Sequence, residues 1–466
     1  MLWTSVVVLD IAALLLRAKD PAKNQQKLAI LTRAYEMGLV MVVAGTRPEV
    51  IKLFPIFKWL DRFGLEYIFV WSGQHYDYEL SRIFFEQFKI RSPNENLDVR
   101  SGTHAEQTAK AMIGLEKLIK KYSPTVVISE GDTNTVVASS LAALKCLVPY
   151  AHVEAGLRSW NICMPEEVNR KIADSVATLH FAPTELAAIN LLFEGIPSRC
   201  IYITGNTIVD VISEYEGLAR SRGEQFLSEL GFDKHNYILV TVHRAENTDN
   251  PRRLINIVMA FKELSQHYNI LFPIHPRTEK RLIELGLLPY LQHVKIVKSM
   301  GYLEFLGVLA HARVVLTDSG GVQEEAFTLK VPTVTLRYNT ERPETTMFHL
   351  NMLAGAEKDK IVSLTLLQAK RIEEIRGISF ENPLGDGSAG MRIAKILKEA
   401  MDIGLHIEEP DLRETPLIEY RLLERGEQDS SSLFDLLATF DKTGRPMLPN
   451  KRTSKFLARI KTRYRL

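Results

Sequence analysis

Cysteine, net charge and long apolar runs are all scarce in this sequence, and each shortage excludes something. Its 466 residues include three cysteines, Cys146, Cys163 and Cys200, far apart and without a CxxC pair. That spacing excludes a disulfide framework and the usual zinc sites, and it suits a reducing cytosol. Lys and Arg number 58 against 56 Asp and Glu, a formal net charge of +2, so no overall field argues for nucleic acid as the main partner. The apolar stretch Val6–Leu16, interrupted by Asp10, falls short of the ~20 residues a membrane-spanning helix needs. No Lys or Arg precedes it and no small-residue cleavage site stands out, so it makes a poor signal peptide. It reads as an extra helix, or as translated sequence upstream of a start at Met37. The expected location is cytoplasmic.

What is present is an ordinary globular composition, 46% apolar and 24% charged. The length is more than one hydrophobic core usually serves, so two domains plus appendages are expected. From Met37 short apolar β-type runs alternate with helical segments. Strands are predicted at Leu39–Val43, Tyr67–Trp71, Thr125–Ser129, Tyr150–Val153, Leu179–Ala182 and Tyr202–Thr204. The rhythm restarts with Tyr237–Val242, Ile270–Pro273, Val294–Val297, Val314–Thr317 and Thr333–Leu336. Continuous apolar runs, rather than strict alternation, are what strands covered by helices on both faces require. The fold class expected is therefore α/β: two Rossmann-like doubly wound domains facing across a cleft. The divisions are an extension over 1–36, a first domain over 37–208, a second over 209–401, and a charged extension over 402–466. After Pro446 that extension holds only basic charges, which suits a solvated tail better than contact with an anionic membrane.

In such sheets ligands sit at the carboxyl ends of the strands, so the residues there come first. Gly45-Thr46-Arg47-Pro48-Glu49, with Lys52 a turn on, follows a strand and opens a helix. Helix amides with Arg47 and Lys52 would make an anion site, although a plain turn with surface charges reads the same way. Asp132 in Gly131-Asp132-Thr133, Glu154 in His152-Val153-Glu154, and Glu166 in Pro165-Glu166-Glu167 bring three carboxylates to one sheet edge. Clustered carboxylates raise one another's pKa, so that one can act as acid and another as base. In the second half His243, His275 and Thr317-Asp318-Ser319-Gly320-Gly321 follow strands. The Ser-Gly-Gly amides can cradle a diphosphate, and Glu325 in the next helix can chelate a diol. Gly385–Gly390 matches GxGxxG but no strand precedes it, so it reads as a turn into the helix Met391–Met401. His311 and His349 read as structural or surface histidines.

Taken together and in this order, the motifs resemble the non-hydrolysing UDP-N-acetylglucosamine 2-epimerase family. The matching strings are GTRPEVIK (45–52), GQH (73–75), GDTNT (131–135), HVEAGLRS (152–159), PEEVNR (165–170), GNTIVD (205–210), VHRAEN (242–247), HP (275–276), TDSGGVQEE (317–325) and TERPE (340–344). The resemblance implies a GT-B-type fold, a homodimer, and chemistry at C2 of UDP-N-acetylglucosamine without NAD or metal. UDP would leave through 2-acetamidoglucal and add back to give UDP-N-acetylmannosamine. It implies acid/base roles for Asp132, Glu154 and Glu166, with His243 near the leaving phosphate. It places Arg47, Lys52, His275, Phe305, Ser319, Gly320, Gly321, Glu325 and Arg342 in the substrate site.

The sequence also departs from the family pattern. Glu130 stands where many members have His before Gly-Asp, and Tyr76-Asp77 follows GQH in place of Arg-Glu. Gln74 and His75 lie in the region where bacterial members bind a regulatory second nucleotide sugar, and they are the candidates for such a site here. The rivals to the leading reading are a hydrolysing epimerase, a GT-B glycosyltransferase, a non-catalytic nucleotide-sugar sensor, and an epimerase acting on another UDP-sugar.

Overall fold

The computed structural model describes residues 38–73, 88 and 90–407. Gln74, His75, the stretch over 1–36 and nearly all of 402–466 lie outside them. The first half runs β1 (Leu39–Ala44), α1 (Arg47–Phe63), β2 (Glu66–Trp71), β3 (Glu95–Asn96), α2 (His104–Tyr122), β4 (Val126–Glu130), α3 (Asn134–Lys145), β5 (Tyr150–Val153), α4 (Pro165–Val176), β6 (Leu179–Ala182), α5 (Glu185–Phe193) and β7 (Ile201–Ile203). Its strands form one parallel sheet in the order β3-β2-β1-β4-β5-β6-β7. A long helix, α6 (Thr207–Leu230), leads into the second half.

There the chain runs β8 (Tyr237–Thr241), α7 (Ala245–Thr248), α8 (Pro251–Leu264), β9 (Asn269–Pro273), α9 (Pro276–Glu284), β10 (Val294–Val297), α10 (Tyr302–Ala310), β11 (Val314–Thr317), α11 (Gly320–Thr328), β12 (Thr333–Thr335), β13 (Asn351–Leu353), α12 (Lys358–Lys370), α13 (Ile372–Gly377) and α14 (Ala389–Asp402). The second sheet is also parallel, in the order β10-β9-β8-β11-β12-β13. Both sheets are wound alike, outward from a first strand and then back past it. All eleven predicted strands are present, with ends shifted by a residue or two at most. The unpredicted β3 and β13 are two and three residues long. Neither is an apolar run of the kind that signals a covered strand.

Alternate residues along the strands serve two apolar layers, which is why the strands read as unbroken apolar runs. In β1, Leu39, Met41 and Val43 pack with α2 and α3, whereas Val40, Val42 and Ala44 face α1. In β8, Ile238 and Val240 pack under α8, while Tyr237 and Leu239 face the other way. That other layer is common to both halves: it is built from α1, α6, α10, α11 and α14, and one continuous core runs through it. The last helix among the described residues, α14, packs on α1 and α6. Its amino end is capped by Asp210 of α6, which accepts from the amides of Ala389 and Gly390 at 3.1 and 2.9 Å. At its other end Met401 fills the space beside Gly38, where a Cβ would lie 2.5 Å from the Met401 methyl. The Gly385–Gly390 segment forms the turn into α14, as expected.

The crossing of α6 and α10 brings backbone against backbone. A Cβ on Gly307 would stand 1.8 Å from the Ala219 carbonyl oxygen, and one on Gly223 would stand 2.3 Å from the Gly307 carbonyl carbon. Gly307→Ala is therefore expected to force the helices apart and cost roughly 1–3 kcal/mol, the usual range for overpacking. A thermal melt with an undiminished midpoint would contradict this close crossing.

Candidate functional site

In a doubly wound sheet the crevice opens where the strand order reverses, outside the carboxyl ends. Here the reversals fall between β1 and β4 and between β8 and β11. The residues that follow those four strands are Gly45–Arg47, Gly131–Asp132, Val242–Arg244 and Asp318–Gly321. Arg47, Asp132, His243 and Ser319–Gly321 thus gather at both reversals for a topological reason.

The first half shapes its edge with buried carboxylates. Glu49, inside α1, accepts from the amides of Gly45 at 2.5 Å and Thr46 at 2.7 Å, and from the Thr133 hydroxyl. Burial pushes its carboxyl up to about 7, with these bonds opposing. Asp174 meets His152 Nδ1 at 2.6 Å and Arg158 Nη1 at 2.7 Å, and accepts from the Gly156 amide at 3.0 Å. The other ring nitrogen of His152 donates to the Gly131 carbonyl at 2.8 Å, next to Asp132. Glu154, directly after β5, has φ +67°, a left-handed conformation that a non-glycine residue adopts only under strong local constraint.

That constraint is a buried charge cluster spanning both halves. Lys52 Nζ pairs with Glu154, with Glu324 of α11 at 3.0 Å, and with Glu130 at 3.5 Å. Arg342 pairs with Glu324 and reaches Glu154 Oε2 at 3.3 Å. Asn206, which caps α6 through its Oδ1, donates from Nδ2 to Glu154 at 3.0 Å and to Glu324 at 2.9 Å. Burial works to raise the Glu154 carboxyl, but Lys52 and Arg342 prevail and hold it down at about 2.

Asp132 and Glu166 are each held by an arginine. Asp132 pairs with Arg170, which Glu167 fixes from beneath, accepting from its Nε at 3.1 Å. Glu166 pairs across the cleft with Arg244. Each of the three predicted carboxylates thus meets a cation, and the carboxyls beside Glu154 are Glu130 and Glu324, both of which its charge raises. On the second half buried Asp318 accepts from the amides of His243 and Arg244 and from Asn247, at 3.0 to 3.1 Å. It so fixes the turn that presents His243, whose ring centroid lies 5.7 Å from that of His275. Desolvation lowers the His243 imidazole, with Asp318 opposing.

Ser319 caps α11 without a side-chain hydrogen bond, leaving the amides of Gly320 and Gly321 at a helix N-terminus. At Gly320 a Cβ would stand 2.5 Å from Glu341 Oε1, whereas at Gly321 it would meet no protein atom. Glycine at 321 therefore answers no packing need, and what it offers is bare backbone. Arg47 is exposed at the start of α1, and Phe305 is half-buried on α10. Glu325 is buried in α11, where desolvation pushes it up to about 8, with Tyr302 and Lys52 opposing. Among the described residues no group of three His, Cys, Asp or Glu side chains is placed to hold a metal ion. No described helix is long and apolar enough to cross a membrane.

Residues 59–398 match the family model for UDP-N-acetylglucosamine 2-epimerase. The chain belongs to the UDP-N-acetylglucosamine 2-epimerase family. A Methanocaldococcus jannaschii UDP-N-acetylglucosamine 2-epimerase is 45% identical over 365 residues, 76% of this chain and 98% of that one. A crystal structure of the M. jannaschii UDP-GlcNAc 2-epimerase in complex with UDP-GlcNAc and UDP is 44% identical, covers 78% of this chain and 99% of that one, and has a TM-score of 0.71. The Neisseria meningitidis UDP-GlcNAc 2-epimerase bound to UDP-GlcNAc is 32% identical, covers 78% of this chain and all of that one, with a TM-score of 0.71. The fold is thus that of the GT-B-like epimerases.

For this epimerase-family chain the sequence reading passed over Glu130, Asn206, Glu324 and Asp318 as functional groups. Asn206 and Asp318 stood inside recognised strings, and adjacent Glu324 and Glu325 gave no hint which was paired. A pH dependence follows from Glu325. Its folded pKa of about 8 lies above the ordinary 4.5, so the folded state binds the extra proton. Stability falls as pH rises from about 4.5 to about 8 and then levels. In Glu325→Gln this contribution is absent, so the variant's melting temperature relative to wild type should increase between pH 5 and pH 8. A constant difference across that window would refute the raised carboxyl.

Proposed function

We propose that the chain interconverts UDP-N-acetylglucosamine and UDP-N-acetylmannosamine without hydrolysis, through elimination and re-addition of UDP. The observation that carries this reading is the gathering of acid/base groups and anion-binding groups at two strand reversals facing one another. In it the first domain, 37–208, supplies Asp132, Glu154 and Glu166 for proton removal and return at C2. The second, 209–401, holds the nucleotide with the Ser319–Gly321 amides, His275, Phe305, Glu325 and Arg342. Arg47, Lys52 and His243 face the diphosphate, where negative charge develops as the C1–O bond breaks. Lys52 and Arg342 are occupied by carboxylates in this structure. An incoming diphosphate would compete for Arg342 and so loosen its hold on Glu154. The homodimer and the cytoplasmic location belong to the same reading.

Glu154→Gln, Asp132→Asn and Glu166→Gln are each expected to lower turnover by roughly 10²–10⁴ while UDP still binds. Proton NMR with UDP-N-acetylglucosamine in D₂O checks the whole reading. UDP-N-acetylmannosamine deuterated at C2, with no free sugar, is the expected product. Free N-acetylmannosamine with UDP would instead show hydrolysis, and undiminished turnover in all three variants would remove the assigned roles.

A further inference from the structure

Glu130 is a carboxyl of the central cluster to which the proposed chemistry gives no role. It ends β4, where its register partner on β5 is Val153, so Glu154 is the next residue along the neighbouring strand. It is 2% exposed, and its Oε1 has no hydrogen-bond partner. That oxygen lies 3.5 Å from Lys52 Nζ, the cation that Glu154 and Glu324 already engage. Two cations, Lys52 and Arg342, therefore face three carboxyls, and the third negative charge has no counter-ion of its own. Burying it ionised would be expensive, whereas a neutral acid is tolerated. The surroundings of Glu130 agree: burial works most against a negative charge on it, Glu154 from the end of β5 and Glu49 from α1 repel one, and Lys52 opposes them. The Tyr150 phenol of β5 stays neutral, its pKa raised by burial.

We propose that Glu130 stores a proton that it shares with Glu154, handing it over when Arg342 turns to an anionic substrate. The proposal rests on the epimerase reading. The step moves one proton: the O–H bond of Glu130 breaks, an O–H bond forms on Glu154, and the new Glu130 carboxylate takes Lys52 as its counter-ion. No other reactant is needed. Glu130 acts through Glu154, so it is a positioning residue rather than a catalytic one. Its service is to let Glu154 change protonation state inside a dry cleft.

Infrared spectroscopy of the whole chain, with and without UDP, tests the stored proton directly. A protonated-carboxyl band at pH 7 that is missing from Glu130→Gln and shifts when UDP binds is the expected result. No band difference between wild type and Glu130→Gln would overturn the proposal. In turnover, Glu130→Gln should lose less than the roughly 10²–10⁴ that removal of a direct acid or base costs. Its kcat/KM should persist to higher pH than wild type, because the group whose ionisation ends activity is gone. Superimposable pH profiles would also overturn the idea. Should Glu130→Gln fail to fold, Glu154→Gln gives a second reading. Removing the neighbouring charge must make the Glu130 band titrate at lower pH, and an unmoved titration counts against the shared proton. A wild type that exchanges nothing at C2 would end the epimerase reading while leaving the infrared result to stand or fall by itself.

Discussion

Everything in the cleft is organised around a small number of charges that have no water to fall back on. Lys52 comes from the first half, Arg342 and Glu324 from the second, and Glu154 from the first again. Buried ion pairs of this kind contribute little net stability, because desolvation offsets their attraction. What they contribute is selectivity among arrangements. With Lys52 bound to Glu324 and Arg342 bound to Glu154, sliding one half against the other would strand charges in an apolar place. Asn206 extends the same logic, since one side-chain amide serves both carboxylates while its carbonyl oxygen caps α6. An arrangement held by charge is also one that a highly charged ligand can re-sort.

The two sheets explain why chemistry settled where it did. Each is wound outward and then back from its first strand, so each has one crevice at its carboxyl edge. The shared layer of α1, α6, α10, α11 and α14 joins the sheets through a single core and sets their crevices against one another. The first crevice is rich in carboxylates, and the second is rich in amide donors and histidine. For the proposed reaction, which moves a proton on one carbon and a diphosphate on the next, neither set would suffice alone.

Much of this was legible before any coordinates. Apolar runs bounded by Gly and polar residues located eleven strands, because covered parallel strands leave an unambiguous trace. Residues following strands were identified as functional candidates for the same topological reason. Other features left no trace. The short β3 and β13 are not apolar runs: Glu95-Asn96 has no apolar signature, and β13 opens on Asn351. Which carboxylate meets which cation depends on side-chain placement across the cleft, so Glu324 was indistinguishable from Glu325 and the coupling of Glu130 to Glu154 was invisible. The left-handed backbone at Glu154 is likewise a product of tertiary contact rather than of residue type.

The packing of Met401 beside Gly38 has a consequence for anything attached to this fold. Gly38 opens β1 and therefore lies at the amino edge of the first sheet, the edge opposite the crevice. The last turn of α14 ends at that same place. The points where the described chain enters β1 and leaves α14 are thus neighbours at the edge opposite the crevice. A linker joining residue 38 directly to the end of α14 would therefore be short and would lie at the edge away from the crevice.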